Sequence, residues 1–505
     1  MKSILASFLA LIAVSFAFVG FQCSSAELTS AKLYMQRKEY DKAEEQLLKD
    51  VTNNPQDGES WYYLGYVRGE LKKWADMMDA FDHALKISDA HKNDITLAKE
   101  HYWIESYNEG TKSLQNARSD STAYQKAVSS FNTAILIEPD STMSYQGLAY
   151  TYLNMGIPDS ALAPFMKLWT TNQNEEAAKY IGEIYFEDGQ KLKQDFENDN
   201  GDKLTNIKNV NSIYEGQSVV EVTSAIGQPD EKKVNEASKS KGKKIAQRNG
   251  PTETWTYKTY GLTLTFENDR LRTKQVDFVY NPGVDSTKYM QALVEYKKAL
   301  DIIVPATKLY PEDQSLTTVM TNCYIAANQT AEATETFREA AEKNPQNPDF
   351  QYNYGVILLK GLKYEPAIAQ FKKAIDASVA TLDQLSQELS TAESSNDSEK
   401  TKELIADTTR TKTTQWNAMY NLGASYVNWG VEMQHSAPQN SDPDSLRKVV
   451  SAKFQDGLPY LEKYSTYKSD DPNLWELMAK VYAFTNNEKK AEDAIQRADE
   501  LRQIH

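Results

Sequence analysis

Apolar positions along this chain recur at helical spacing, and the helices they predict come in pairs. Between Trp61 and Ala84, in WYYLGYVRGELKKWADMMDAFDHA, a first helix carries Trp61, Leu64 and Gly65 and a second carries Phe81 and Ala84. An apolar stripe holding one small residue predicts a helix that its neighbour approaches closely. The register returns far downstream, where Ala333, Phe337 and Ala340 are followed 34 residues later each by Ala367, Phe371 and Ala374. A pair of short helices has too little core alone and buries its stripe only against the next pair, so the apolar spacing has to repeat.

This order of aromatic, Leu-Gly, Ala, Phe and Ala resembles the tetratricopeptide repeat, with Arg68 and Asp89 standing at the family's Tyr and Pro places. The resemblance implies an all-α superhelix, an alpha-alpha solenoid of about nine helix pairs. Ala31, Tyr34, Ala43 and Leu47 start it, Tyr145, Leu148, Ala161 and Phe165 continue it, and Trp475, Ala479, Tyr482, Ala491 and Ala498 close it.

After Gly189 the second helix expected of a fifth pair does not come. Between about Asn206 and Phe278 the period becomes two, in ETWTYKT, LTLTFEND and LRTKQVDFV, with Tyr-Gly and Asn-Asp turn signals between the runs. A small α+β domain is expected here. The series Ile213, Gly216, Val222, Ile226, Gly227, Pro229, Trp255, Tyr257, Phe266 and Asn268 resembles the SmpA/OmlA type of small outer-membrane lipoprotein domain. A helix from about Thr287 to Leu309 then supplies the missing second helix. The expected organisation is a signal peptide at 1–22, repeat arrays at 23–200, 286–379 and 413–505, the α+β insert at 205–282 and a polar helical hairpin at 380–412.

The first residues read as an export signal, one Lys followed by ILASFLALIAVSFAFVGF. Two maturations compete. Cleavage before Cys23, as in the bacterial lipoproteins this start resembles, would place lipid on that thiol; ordinary cleavage after Ala26 would release a soluble protein. A retained membrane anchor is a third reading, the run being near the lower length limit for a span. The resemblances together imply a cell-envelope protein, anchored in the outer membrane and facing the periplasm.

Composition narrows the partners. A formal charge of −15 repels nucleic acid on average, and two cysteines make neither a disulfide framework nor a zinc site. None of the five His lies at metal-ligand spacing, and no phosphate-binding glycine loop or Gly-x-Ser-x-Gly elbow occurs. No catalytic residue, cofactor or metal is therefore expected. The candidate surface is the groove that the first helices of such repeats line, with Tyr62, Tyr66, Tyr107, Tyr150, Tyr352 and Tyr420 pointing into it, although Tyr at these places also serves packing between helices. A second candidate is the basic run with Lys239, Lys241, Lys243, Lys244 and Arg248, as a contact for anionic lipid or an acidic partner; its plainer reading is a solvated hairpin tip. The expected function is a non-catalytic scaffold for proteins or peptides of the envelope, with outer-membrane protein assembly the role that the resemblance implies; a glycan- or peptidoglycan-binding module is the alternative, and an enzyme hidden in the insert a third reading.

Overall fold

The computed structural model describes residues 25–235, 252–437 and 442–504. They fall into two compact units, divided between Ala177 and Ala178. The first contains α1 (Ala26–Gln36), α2 (Tyr40–Asn53), α3 (Gly58–Glu70), α4 (Trp74–Ile87), α5 (Lys92–Asn116), α6 (Ala123–Ile137), α7 (Thr142–Asn154) and α8 (Pro158–Asn172), each odd-numbered helix packed on the next. The second begins in α9 (Glu175–Asn211) and continues through α10 (Val219–Ile226), four strands, α11 (Thr287–Leu309), α12 (Gln314–Ala326), α13 (Thr330–Lys343), α14 (Pro348–Lys360), α15 (Tyr364–Ser394), α16 (Ser398–His435), α17 (Pro443–Tyr467), α18 (Pro472–Phe484) and α19 (Glu488–Ile504). Each unit is an array of antiparallel helix pairs, and no helix among the described residues is long and apolar enough to cross a membrane.

The repeat is written into the backbone as well as the core. In α3/α4, α7/α8, α12/α13, α14/α15 and α18/α19 the second helix starts 16 residues after the first. Two residues before that start stands a left-handed residue, Lys72, Gly156, Asn328, Leu362 or Asn486, with φ between 55° and 73°. Its N–H donates to the carbonyl three residues back and the next N–H to the carbonyl five back, as in Leu362 to Leu359 and Lys363 to Leu358. The turn thus satisfies carbonyls that a helix end leaves open. An L-residue in this conformation costs about 1–2 kcal/mol, which glycine avoids. Leu362 is 62% exposed and has little packing to lose. Leu362→Gly is therefore expected to stabilise the second unit by about 0.5–1 kcal/mol, after the extra unfolded-chain entropy of glycine is subtracted; hydrogen exchange across α14 and α15 measures it, and a loss of protection would contradict it.

The first helices start on side-chain caps. Asp57, Ser141, Asp313, Asn347 and Asp471 each accept from an N–H of the first turn of α3, α7, α12, α14 and α18. Between helices, small residues admit rings: a Cβ on Gly65 would lie 2.4 Å from Phe81, on Gly147 2.4 Å from Phe131 and on Gly355 2.7 Å from Phe371. Those three rings are buried to within 1%.

In the second unit α9 finds its partner across the insert. Tyr296 of α11 packs at Gly189 and Ile303 at Gly182, the Tyr296 hydroxyl donates to Gln190 at 2.7 Å, and Lys288 pairs with Asp199 at 2.8 Å. The boundary expected at 200–205 lies inside α9, which runs on to Asn211. Its last turn then enters the insert's core.

That core lies on one face of an antiparallel sheet, β1 (Glu231–Asn235), β2 (Thr252–Tyr257), β3 (Leu262–Glu267) and β4 (Arg270–Val276), in sequential order. Alternation sends Trp255, Tyr257, Leu262, Leu264, Phe266 and Leu271 to the face covered by Val210, Ile213, Val222 and Ile226. Asn268 and Asp269, both with positive φ, make the tight β3–β4 turn, and a capping box at Ser218 and Glu221 starts α10. Lys274 ties sheet to helix, donating to the carbonyls of Val210 at 3.2 Å and Ile213 at 2.8 Å. Lys232 and Lys233, which begin the basic run, belong to β1 rather than to a hairpin tip, with the Lys232 ammonium 4.1 Å above the Trp255 ring.

The polar segment expected as a separate hairpin at 380–412 is continuous with the repeats. α15 runs without a break through residue 380, the chain turns at Ser395–Asp397, and α16 runs back through residue 412 into its own repeat. Ala392 and Leu404 are buried there, whereas Ile405 is 49% exposed. The Ser and Thr hydroxyls are accommodated within these helices by donating to carbonyls one turn back, as Thr391, Ser394, Thr409 and Thr413 do.

Candidate functional site

The six candidate tyrosines are half-buried. In the first unit Tyr62 lies 6.4 Å from Phe81, Tyr107 5.8 Å from Phe131 and Tyr150 6.1 Å from Phe165, ring to ring. In the second, Tyr352 lies 6.0 Å from Phe371 and Tyr420 5.1 Å from Tyr464. Each of these five tyrosines thus packs against an aromatic of the helix that follows, stacked for Tyr62, edge-on for Tyr107 and Tyr150 and tilted for Tyr352 and Tyr420. Tyr62 also stacks on His91 at 4.4 Å, and burial pushes its phenol up to about 12. Tyr66 is raised by burial and then by Glu70 beside it. Four of the six belong to the first unit and two to the second. Cys23, Lys239, Lys241, Lys243, Lys244 and Arg248 lie outside the described residues.

One of the tyrosines opens onto a cleft. α12, α14 and α16, the first helices of three successive repeats, enclose about 490 Å³ lined by Gln314, Thr318, Asn322, Tyr352, Asn353, Val356, Arg410, Thr414 and Asn417 among others. Two wider clefts in the first unit, about 580 and 610 Å³, each carry several charged side chains of both signs, and in the 580 Å³ cleft Lys126 and Glu109 already pair with each other at 2.8 Å. The cleft between α12, α14 and α16 is instead walled mainly by amides and hydroxyls, with Arg410 the one charged side chain of its lining.

A buried carboxylate organises its floor. Asp349 is 9% exposed, and its Oδ1 accepts from Gln314 and from Thr414, both at 2.7 Å, so one oxygen joins three helices. Burial raises the Asp349 pKa above the usual carboxylate range, while Thr414, Arg410 and Gln314 act to lower it. Beside it Thr321 donates to Asn353 at 3.0 Å and Asn353 donates to the Asp349 carbonyl at 2.9 Å. Asn421 donates to the Tyr352 hydroxyl at 3.2 Å. The floor is thereby held rigid.

The walls are not so committed. Among the described residues no hydrogen bond occupies the side-chain amides of Asn322 and Asn417. An amide offers one acceptor and two donors, the complement of a peptide group. Composition and repeat register did not single out these residues, yet a signal was present: Gln314, Thr318 and Asn322, and again Arg410, Thr414, Asn417 and Asn421, form polar stripes at helical spacing along helices whose other face is apolar. Among the described residues no group of three or more His, Cys, Asp and Glu is placed to hold a metal. Cys323 is fully buried, and burial pushes its thiol up to about 12.

Comparison with known proteins agrees with this architecture locally. Residues 324–378, spanning α13, α14 and the first half of α15, match the family described as tetratricopeptide repeat. No curated protein matches the chain. Similar solved structures include MamA MSR-1 C2 (13% identical, covering 42% of this chain and 88% of that one, TM-score 0.26), the TPR domain of P58(IPK) (12%, 78% and 93%, TM-score 0.16) and the human IFIT1 dimer with PPP-AAAA (11%, 95% and 92%, TM-score 0.20). Scores of this size do not establish a common overall shape. The segment 324–378 is thus a tetratricopeptide repeat by sequence, and its left-handed hairpin turn recurs in the helix pairs on either side of it.

Proposed function

We propose that the chain is a non-catalytic protein-binding scaffold and that the cleft between α12, α14 and α16 takes an extended peptide segment of its partner. The observation that carries this reading is the pair of unengaged amides, Asn322 and Asn417, standing over a floor already satisfied by Asp349. A peptide backbone laid across them exchanges water for paired donors and acceptors at small cost, because the lining helices are already ordered. Crosslinking of the full chain in its native envelope, followed by mass spectrometry, identifies the partner. The double variant Asn322→Ala, Asn417→Ala should then weaken that partner by about 1–3 kcal/mol, two hydrogen bonds' worth, with the melt unchanged. Undiminished crosslinking in the double variant would count against the cleft.

The proposed setting is the cell envelope, with lipid on Cys23 and a role in outer-membrane protein assembly. Support comes from the apolar run ending just before that cysteine and from the order of SmpA/OmlA-like residues, of which Ile213, Val222, Ile226, Trp255, Tyr257 and Phe266 share one core. The intact mass of the mature protein tests the anchor: a lipid-modified chain starting at Cys23 is expected, and an unmodified chain starting at Glu27 would refute it.

A further inference from the structure

Away from the cleft, two ammonium groups converge on one ring. Lys372 of α15 donates to the Tyr426 hydroxyl at 3.2 Å and lies 5.7 Å from that ring's centre. Lys453 of α17 lies 6.0 Å from the same centre and 3.7 Å above Trp429. Tyr460 completes the patch, nearly parallel to Tyr426 at 6.4 Å. Lys372 and Lys453 make no ion pair among the described residues, and Asp456, which acts on Lys372, does so from beyond ion-pair distance. None of these residues lines the cleft.

We infer that this patch is a second docking surface, for a short acidic segment of a partner protein, whose carboxylates seat on Lys372 and Lys453 while its apolar side chains lie against Tyr460. The geometry favours an anion over a stacked sugar, because the Lys453 ammonium already covers the Trp429 face that a sugar would need. Rings attract and position the two cations without neutralising them, leaving their remaining N–H donors for an acceptor. Charge limits the ligand's length. A chain of net charge −15 repels long polyanions such as nucleic acid or an anionic bilayer, whereas a short segment feels only the field within a Debye length of about 8–10 Å.

The test uses the full chain and a dye-labelled, end-blocked peptide of about nine residues alternating Glu and Leu, with a Gln-for-Glu counterpart, read by fluorescence anisotropy of the dye. Expected results are binding of the Glu peptide, at least ~10-fold weaker binding of the Gln peptide, and a further loss of about 5- to 10-fold for each of Lys372→Gln and Lys453→Gln, in line with charged contacts at an interface. Lys489→Gln, on an exposed turn of α19, should change nothing. The proposal is overturned if the Glu peptide fails to bind at millimolar concentration, if the Gln peptide binds equally, or if the double lysine variant binds as the parent does. Binding of phosphatidylglycerol vesicles that is lost in the double variant, with no peptide binding, would assign the patch to a membrane and overturn it as stated. These readouts do not involve Asn322 or Asn417, so failure here and failure of the cleft reading are separable.

Discussion

Phe371→Ala is expected to cost about 3–5 kcal/mol, the largest loss of any single truncation considered for the repeats, because a fully buried ring leaves a cavity that close-packed neighbours fill only in part. Phe371 is 0% exposed and packs with Leu358, Ala367, Ala374, Ala418 and Leu422, drawn from three helices. Tyr352→Ala provides the comparison. Its ring is half-buried and leans on Phe371, so about 1–2 kcal/mol is expected, from partial burial and the lost bond to Asn421. Repeat arrays need not unfold in one step, so hydrogen exchange of the amides in α13 to α16 is the appropriate measurement. Equal losses for the two variants would make Tyr352 a core residue and remove it from the cleft wall.

Gly65→Ala should destabilise the first unit by about 1–3 kcal/mol even though alanine is the better helix former by about 1 kcal/mol. The added methyl would stand 2.4 Å from the Phe81 ring, itself 1% exposed and closed in by Met77, Ala84 and Ile95. The ring cannot swing away without opening that cluster. Gly201→Ala is the matched control: it too is a helical glycine, in α9, with nothing within 4 Å of the added atom. There the propensity term acts alone and the variant should gain stability. Hydrogen exchange across α3 and α4 for Gly65→Ala and across α9 for Gly201→Ala decides the point, and a neutral Gly65→Ala would mean that the helices separate more easily than the packing implies.

For these reasons the architecture was legible before any coordinates. Helix pairs, their 34-residue period, the two-residue period of the insert and the small residues beneath Phe81 and Phe371 are all local or periodic properties, and the core each repeat needs is built from neighbours close in sequence. Boundaries were less legible. Tertiary contacts carry α9 past residue 200, where Asn, Asp and Gly are poor helix formers but Asn200 and Lys203 bond the carbonyls of Asp285 and Gly283 and Val210 enters the insert's core; α15 runs past residue 380 with its polar side chains in water and Ala392 buried. β1 escaped notice because its two lysines are adjacent and Val234 is its one apolar residue, so no alternation shows; its pairing with β2, not its composition, makes it a strand.

The sites divide in the same way. A row of tyrosines at equivalent repeat places is a sequence property, but whether a ring meets a ligand or a neighbouring phenylalanine depends on the turn of each helix about its axis, and five of the six lean on an aromatic of the next helix. Gln314, Asp349 and Thr414 are separated by 35 and 65 residues and meet on one carboxylate oxygen only when three repeats stack. Lys372 and Lys453 likewise converge on Tyr426 from two different helices. Sequence alone thus determined the repeat, its period and the residues of its core, since those are set by short-range burial; the tertiary structure decided the cleft and the lysine patch, since both exist only where side chains distant in the chain are brought within hydrogen-bonding or electrostatic range.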